Sequence, residues 1–156
     1  MIYVFDTSSF LVLKNFYPSR FPSVWSGMDH LIEAQRLVSV REVLNELDSY
    51  NDQDFIQEWA KAHKPLFLTP GREELLMVSK IFQVEHFKAL ISRQSILKGT
   101  PVADPFVIAA AHVKKGIVVT QETKQPNAAK IPNICDHFGV EYVNLEGFME
   151  KEGWAF

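Results

Sequence analysis

The sequence predicts an α/β protein, a three-layer sandwich in which a central parallel sheet of about five strands is flanked by helices. Short apolar runs alternate along the 156 residues with segments whose apolar positions recur at helical spacing. The apolar runs contain almost no polar residues, as is typical of parallel strands that are covered on both faces. We therefore expect right-handed crossovers between the strands and a single domain spanning residues 1–156.

The composition is that of a soluble globular protein, with 47% hydrophobic and 22% charged residues. A net charge of −3 argues against binding of nucleic acid by bulk electrostatics, so any such partner must be contacted locally. No segment resembles a signal peptide or a membrane span, and we expect a cytoplasmic protein with no membrane partner. The single cysteine, Cys135, excludes an internal disulfide and a cysteine-based zinc site.

The first strand, predicted at residues 2–5, runs directly into Asp6 and then into three hydroxyl residues. Ligands of open α/β sheets bind at the carboxyl ends of the strands, so Asp6 is a candidate functional residue. In the alternative interpretation Asp6 caps the short helix predicted at residues 9–14, a role for which the three hydroxyl residues compete.

A helix at residues 24–35 and a second strand at residues 37–40 come next, and the strand leads into a further helix. The start of that helix has the S-x-x-E form of a capping box, formed by Ser39 and Glu42. Glu46 lies on the same face one turn later and has no evident structural role. Because a charge beside buried leucines usually needs a partner or a metal, we predict that Glu46, rather than Glu42, is functional.

The middle of the chain is predicted to form a helix that opens in the polar cluster at residues 51–54 and continues to about residue 64. A third strand is predicted at residues 66–68, and a longer helix follows the Pro-Gly turn before residue 72. The segment 84–98 is helical by composition.

Asp104 is predicted to be the N-cap of the next helix, with Pro105 at its first position. A fourth apolar strand, at residues 117–120, runs into Glu122 in the same way as the first strand runs into Asp6. The remaining predicted features are a helix end at Gly116, a helix at 132–137 stopped by Gly139, a fifth strand at 140–143 and a helix at 145–154.

Asp6, Asp104 and Glu122 are expected to meet at one edge of the sheet, with Glu46 reaching them from its helix. Two carboxylates about 4 Å apart repel by about 4 kcal/mol at an effective dielectric of about 20, so such a cluster needs a cation. Oxygen ligands without imidazole or thiolate select Mg²⁺ or Mn²⁺. These ions activate water for attack on phosphorus, which predicts phosphodiester hydrolysis.

The same residues resemble the PIN domain family. The resemblance lies in four segments that occur in the family's order over nearly the whole chain: Val4-Phe5-Asp6-Thr7-Ser8, Val43-Leu44-Asn45-Glu46-Leu47, Asp104-Pro105-Phe106-Val107-Ile108-Ala109-Ala110-Ala111 and Val118-Val119-Thr120-Gln121-Glu122. It implies a small α/β nuclease fold in which Asp6, Glu46 and Asp104 occupy the first three acidic positions that hold Mg²⁺ or Mn²⁺. Glu122 stands where the family usually has an aspartate.

The resemblance also implies an activity and partners. It implies a metal-dependent endoribonuclease of the VapC type, the toxin of a type II toxin–antitoxin pair, with an RNA substrate, a cognate antitoxin and a homodimeric state. The chain is longer than typical toxins between residues 65 and 100, which indicates a divergent branch. Basic residues are candidates for contacts with the RNA backbone, or else solvated surface, at Lys14, Arg20, Arg93, Lys98 and Lys124.

Three alternatives remain open. An aspartyl-phosphate phosphatase also carries an aspartate after its first strand, but it needs a second acid two residues later, where this chain has Ser8. A PIN-like protein that acts only as a binding module is disfavoured by the full acidic set. A metallohydrolase that uses histidine is disfavoured because the five histidines show no H-E-x-x-H spacing.

Overall fold

A computed structural model describes residues 1–50, 54–90 and 102–156. Within these ranges, a sheet of five parallel strands has the order β3-β2-β1-β4-β5. The strands are β1 Tyr3–Phe5, β2 Leu37–Val40, β3 Phe67–Leu68, β4 Ile117–Val119 and β5 Glu141–Val143. The predicted fold class, with its central parallel sheet of five strands, is confirmed.

The helices in the described ranges lie close to the predicted positions. They are α1 Thr7–Leu13, α2 Pro22–Glu33, α3 Arg41–Ser49, α4 Phe55–Ala62, α5 Arg72–Gln83, α6 Asp104–Lys114, α7 Ile131–Phe138 and α8 Leu145–Lys151, with 3₁₀ segments at Lys64–Leu66 and Glu85–Leu90. Residues 51–53 of the predicted cap cluster and residues 91–98 of the predicted helical segment, with Arg93 and Lys98, lie outside the described residues. Among the helices described, none is long and apolar enough to cross a bilayer.

The central strand β1 is completely buried, because helices cover the sheet on both faces. The ring of Phe148 in α8 packs edge-on against Tyr3 and Phe5, with ring centroids 4.7 and 5.0 Å apart. Side chains alternate between the faces of a strand, so Val4 points to the opposite face. Helix α6 packs against β1, β2 and β4. Because both faces of β1 are covered, every residue of the strand is apolar.

The predicted capping box at the start of α3 is wrong. The N-cap of α3 is Val40, which makes no side-chain capping bond, because strand β2 extends to this residue. The hydroxyl of Ser39 instead donates to the carbonyl oxygen of Phe5 at 2.7 Å, within the sheet. Glu42 is 1% exposed and pairs with Arg41 at 3.0 Å. Its Oε2 has no hydrogen-bond partner among the described residues.

Both ends of α6 also differ from the prediction. Ala103 is the N-cap, and Asp104 is the first helical residue. At the other end Lys115 takes the left-handed conformation, with φ 53°, so the helix ends before Gly116. Gly116 is required for a different reason, because a Cβ at this position would lie 2.7 Å from the carbonyl oxygen of Ile2. The absence of a side chain lets the start of β4 approach β1.

Candidate acidic site at the carboxyl edge of the sheet

Asp6 follows β1 and is only 3% exposed. Its Oδ1 accepts a hydrogen bond from the Ser9 amide at 2.9 Å, so the alternative interpretation of Asp6 as the N-cap of α1 is confirmed. Its Oδ2 accepts from Thr120 Oγ1 at 2.6 Å, and Ser8 Oγ lies 2.8 Å from both carboxylate oxygens. Burial raises the pKa of Asp6, whereas the hydrogen bonds from Thr120, Ser8 and Ser9 lower it.

Glu46 connects three parts of the chain from its position on α3. Its Oε2 accepts a hydrogen bond from the hydroxyl of Thr7 in α1 at 2.5 Å, and its Oε1 accepts from the amide of Ala103 at 2.9 Å. Ala103 is the residue directly before α6. The expectation that Glu46 has no structural role is therefore wrong, since it holds the start of α6 beside α1 and α3.

Asp104 lies in the first turn of α6 and is half-buried. Among the described residues, none donates a hydrogen bond to its carboxylate. Burial raises the pKa of Asp104 to about 8, with further contributions from the negative charges of Glu122, Glu46 and Asp6 and an opposing one from Lys130. The four predicted acidic residues therefore lie close enough together for their charges to interact.

Glu122 follows β4 and is tied to the start of the next helix. Its Oε2 accepts a hydrogen bond from the amide of Ile131, the first residue of α7, at 2.8 Å. Its own amide donates to Thr120 Oγ1 at 3.1 Å. The positive end of the helix dipole stabilises a carboxylate at this position. Hydrogen bonds thus fix both the backbone amide and the carboxylate of Glu122, and the second of them connects it to α7, which begins nine residues later.

The hydroxyl groups around the site donate hydrogen bonds to the carboxylates. Thr7 donates to Glu46, while Ser8 and Thr120 donate to Asp6. Three further participants were not predicted from the sequence: the backbone amides of Ala103 and Ile131, and the side chain of Lys130. Backbone donors leave no residue-type signal, and the only sequence signal for Lys130 is its position two residues before a predicted helix.

The residues present fit a hard divalent cation by the chemistry of their donors. Carboxylate and hydroxyl oxygens surround the site, and Asp104 is a half-buried acid among like charges, which a cation would relieve. Within the described ranges, no three acidic, histidine or cysteine side chains are close enough to hold one ion together. Mg²⁺ is commonly bound through one or two carboxylates and keeps several waters. The assignment of the four acidic residues as ligands stays a prediction.

Solved structures are similar to this chain. A chain in the crystal structure of VapBC2 from Rickettsia felis bound to a DNA fragment from their promoter is 14% identical and superposes with a TM-score of 0.54, over 92% of this chain and 98% of that one. The crystal structure of PAE2754 from Pyrobaculum aerophilum is also 14% identical, with a TM-score of 0.40, over 89% of this chain and 97% of that one. The first of these confirms the predicted PIN-like fold.

No curated protein sequence matches this chain. A family model, described as a domain of unknown function (DUF4411), matches residues 3–156. The match includes all the strands and helices given above and the four acidic residues. The chain, which has a PIN-like fold, therefore belongs to the DUF4411 family.

Proposed function

We propose that this protein is a metal-dependent endoribonuclease that hydrolyses RNA phosphodiester bonds. One observation supports this most directly: burial, together with the negative charges of Glu122, Glu46 and Asp6, raises the pKa of Asp104 to about 8. Carboxylates from four separate parts of the chain thus interact through their charges near the carboxyl edge of a parallel sheet. This edge is where α/β proteins bind ligands, and a concentration of negative charge there is suited to a divalent cation.

Asp104 is the residue that we expect to hold Mg²⁺ or Mn²⁺ most directly, with Asp6, Glu46 and Glu122 as its neighbours. When bound, such an ion supplies positive charge to phosphate oxygens and makes water more acidic. The other residues of the site position the carboxylates. Thr120 and the backbone of α1 fix Asp6, and the amides at the starts of α6 and α7 fix Glu46 and Glu122.

We further propose that the protein is the toxin of a type II toxin–antitoxin pair, acting in the cytoplasm as a homodimer that a cognate antitoxin silences. The support is the PIN-like fold, shared with a chain of VapBC2, together with the VapC-type motifs in the sequence. Induced expression in a bacterial host is expected to arrest growth, and Asp104→Asn is expected to relieve the arrest. Equal arrest by the wild type and the variant would contradict a toxin that acts through this site.

A second candidate function is a binding module without catalysis. Its support is that Asp6, Glu46 and Glu122 each accept hydrogen bonds that hold secondary structure together, as purely structural acids do. A module of this kind would bind its partner equally well with and without a divalent ion. It would not cleave RNA under either condition.

Cleavage of a labelled single-stranded RNA, with Mn²⁺ or with EDTA, tests the two candidates. The wild type is expected to cleave only with Mn²⁺, and Asp104→Asn is expected to lose at least a hundredfold in rate. Asp29→Asn provides a matched control, because Asp29 is an exposed aspartate on α2. Absence of cleavage by pure, folded wild type across Mg²⁺ and Mn²⁺ would contradict the nuclease proposal, as would full activity of Asp104→Asn.

A further inference from the structure

An open cleft of about 600 Å³ is lined in part by the loop that follows Glu122. It is formed by the 3₁₀ segment Glu85–Leu90, the loop after Glu122 and one side of α7. Six of its lining residues carry aromatic, amide or cationic groups: His86, Phe87, Lys124, Asn127, Asn133 and His137. Its volume is within the range of about 300–1,000 Å³ that is typical of small-ligand sites.

The cleft is physically coupled to the acidic site through one loop. Lys124 is two residues after Glu122, and two extended residues span at most about 7 Å. The hydrogen bond from the Ile131 amide to Glu122 closes the loop against α7. Asn133 fixes its middle, since its Nδ2 donates to the carbonyl oxygen of Gln125 at 2.6 Å. A ligand at Glu122 and a ligand in the cleft would therefore be near neighbours.

The lining has the chemistry that a nucleobase requires. The rings of Phe87 and His137 meet edge to face, with centroids 5.4 Å apart, and His86 lies beside Phe87 at 5.8 Å. His86 and His137 are both exposed, so their ring surfaces are accessible to a base. Single-stranded RNA is recognised by stacking of unpaired bases on aromatic and histidine rings and by hydrogen bonds to their edges.

Two polar residues supply groups for the base edge and the backbone. Asn127 has a left-handed backbone, with φ 55°, and is exposed in the loop. Its amide offers both donors and an acceptor, as recognition of a base edge needs. Lys124 forms an ion pair with Asp136 at 2.6 Å, and its side chain is 60% exposed. An exposed pair of this kind is weak, so the lysine is available to an RNA phosphate.

We propose that this cleft binds one base of a single-stranded RNA, one or two nucleotides from the phosphate held at the acidic site. The inference rests on the proposed nuclease function and adds a substrate feature to it. The cleft selects the base at that position and thereby contributes to the choice of the RNA sequence that is cut.

Three variants remove the groups of the cleft from exposed positions, so the fold is expected to survive. His137→Ala removes a ring, and Lys124→Ala removes a charge. Asn127→Gly removes the amide while it accommodates the left-handed backbone. Matched controls are His30→Ala, an exposed histidine of α2, and Lys61→Ala, whose ion pair with Asp48 is as exposed as that of Lys124.

Two readouts separate the cleft from the catalytic site. Fluorescence anisotropy in EDTA measures affinity for a labelled single-stranded RNA without cleavage, and steady-state kinetics with Mn²⁺ separate KM from kcat. We expect His137→Ala and Asn127→Gly each to raise Kd and KM about tenfold, with kcat within about twofold of the wild type. Cleavage of a pool with randomised positions is expected to lose its base preference at one position only.

Each outcome either supports or overturns the proposed base site. Cleavage by the wild type, with Kd, KM and base preference unchanged in the cleft variants, would overturn the base site and leave the nuclease proposal intact. RNA binding that is weakened by the cleft variants, without any cleavage by the wild type, would support the base site and overturn the nuclease proposal. A wild type that neither binds nor cleaves single-stranded RNA would overturn both.

Discussion

Thr120 Oγ1 donates a hydrogen bond to Asp6 Oδ2 at 2.6 Å, and the two residues follow adjacent strands, β4 and β1. Thr120 is 1% exposed and Asp6 is 3% exposed, so this contact lies at the buried base of the acidic site. The hydroxyl opposes the rise in the pKa of Asp6 that burial causes. The motif that follows β4 thus helps to keep the carboxylate that follows β1 ionised.

The stability of the metal-free protein is expected to fall as pH rises from about 4 to about 8. The pKa of Asp104 is about 8 in the folded protein, against about 3.9 for an aspartate in an unfolded chain. Between these values the folded state binds more protons than the unfolded state, so the contribution of Asp104 is fully present below the lower pKa and is lost through the upper one.

Asp104→Asn isolates this effect, because it removes the titrating group and little else. At pH 8 in EDTA the variant is expected to be more stable than the wild type by about 2 kcal/mol, since burial and like charges no longer oppose an ionised group. At pH 4 the difference is expected to be within about 0.5 kcal/mol, because the aspartate is then protonated in the folded state and about half protonated in the unfolded state. Urea unfolding at both pH values measures it, and a difference that does not depend on pH would contradict the assigned cause.

Glu122 is expected to show separable effects of charge and of hydrogen bonding. Glu122→Gln keeps an acceptor for the Ile131 amide but removes a charge that raises the pKa of Asp104. That pKa should therefore fall, with stability changed by less than about 0.5 kcal/mol. Glu122→Ala also removes the acceptor at the start of α7 and is expected to cost about 1 kcal/mol. NMR titration of the Asp104 carboxyl and urea unfolding report the two effects, and equal stabilities of both variants would contradict the capping role.

Substitutions of the ion-paired residues Arg41 and Glu42 are expected to have unequal costs in stability. Glu42 is 1% exposed and Arg41 supplies its ion pair, while the second carboxylate oxygen has no partner among the described residues. Arg41→Ala leaves a buried charge without compensation and is expected to cost about 2 kcal/mol. Glu42→Gln removes the charge and is expected to cost less than about 1 kcal/mol, without loss of RNA cleavage. Thermal unfolding of the two variants checks the order, and a larger cost for Glu42→Gln would contradict it.

Much of the fold was predictable because its signals are local. The apolar runs at β1 and β4 are buried on both faces. Strand β1 ends at the predicted residue and β4 ends one residue earlier than predicted, at Val119, so Asp6 and Glu122 fall at the carboxyl edge. Glycine at position 139 also ends α7 as expected, with φ 68°.

The wrong predictions concern side chains whose hydrogen-bond partners are distant in the chain. Ser39 and Glu42 have the spacing of a capping box, but the hydroxyl of Ser39 finds the carbonyl oxygen of Phe5, 34 residues away. The structural role of Glu46 is not evident from the sequence because its donors, Thr7 and Ala103, lie 39 and 57 residues away. Local spacing does not reveal such contacts, since only the folded chain brings these groups together.

Gly116 is expected to be intolerant of any side chain. A Cβ there would lie 2.7 Å from the carbonyl oxygen of Ile2, a backbone atom that cannot move without disturbing the pairing of β1 and β4. Gly116→Ala is expected to cost about 2 kcal/mol. In the matched control Gly71→Ala, the nearest atom is Glu74 Oε2 at 3.0 Å, the end of a flexible side chain. Comparable costs for both variants in thermal unfolding would contradict the steric explanation.

Calorimetric titration of Mn²⁺ into the metal-free protein at pH 8 tests most directly whether the acidic residues form a divalent-cation site. The wild type is expected to bind Mn²⁺ at pH 8. In a second titration at pH 7, binding is expected to release more protons, because a larger fraction of Asp104 is protonated there and must ionise to act as a ligand. Asp104→Asn is expected to weaken binding at least tenfold, whereas Asp29→Asn is expected to bind like the wild type. Equal Mn²⁺ affinity of all three proteins, or no binding by the wild type, would contradict the account.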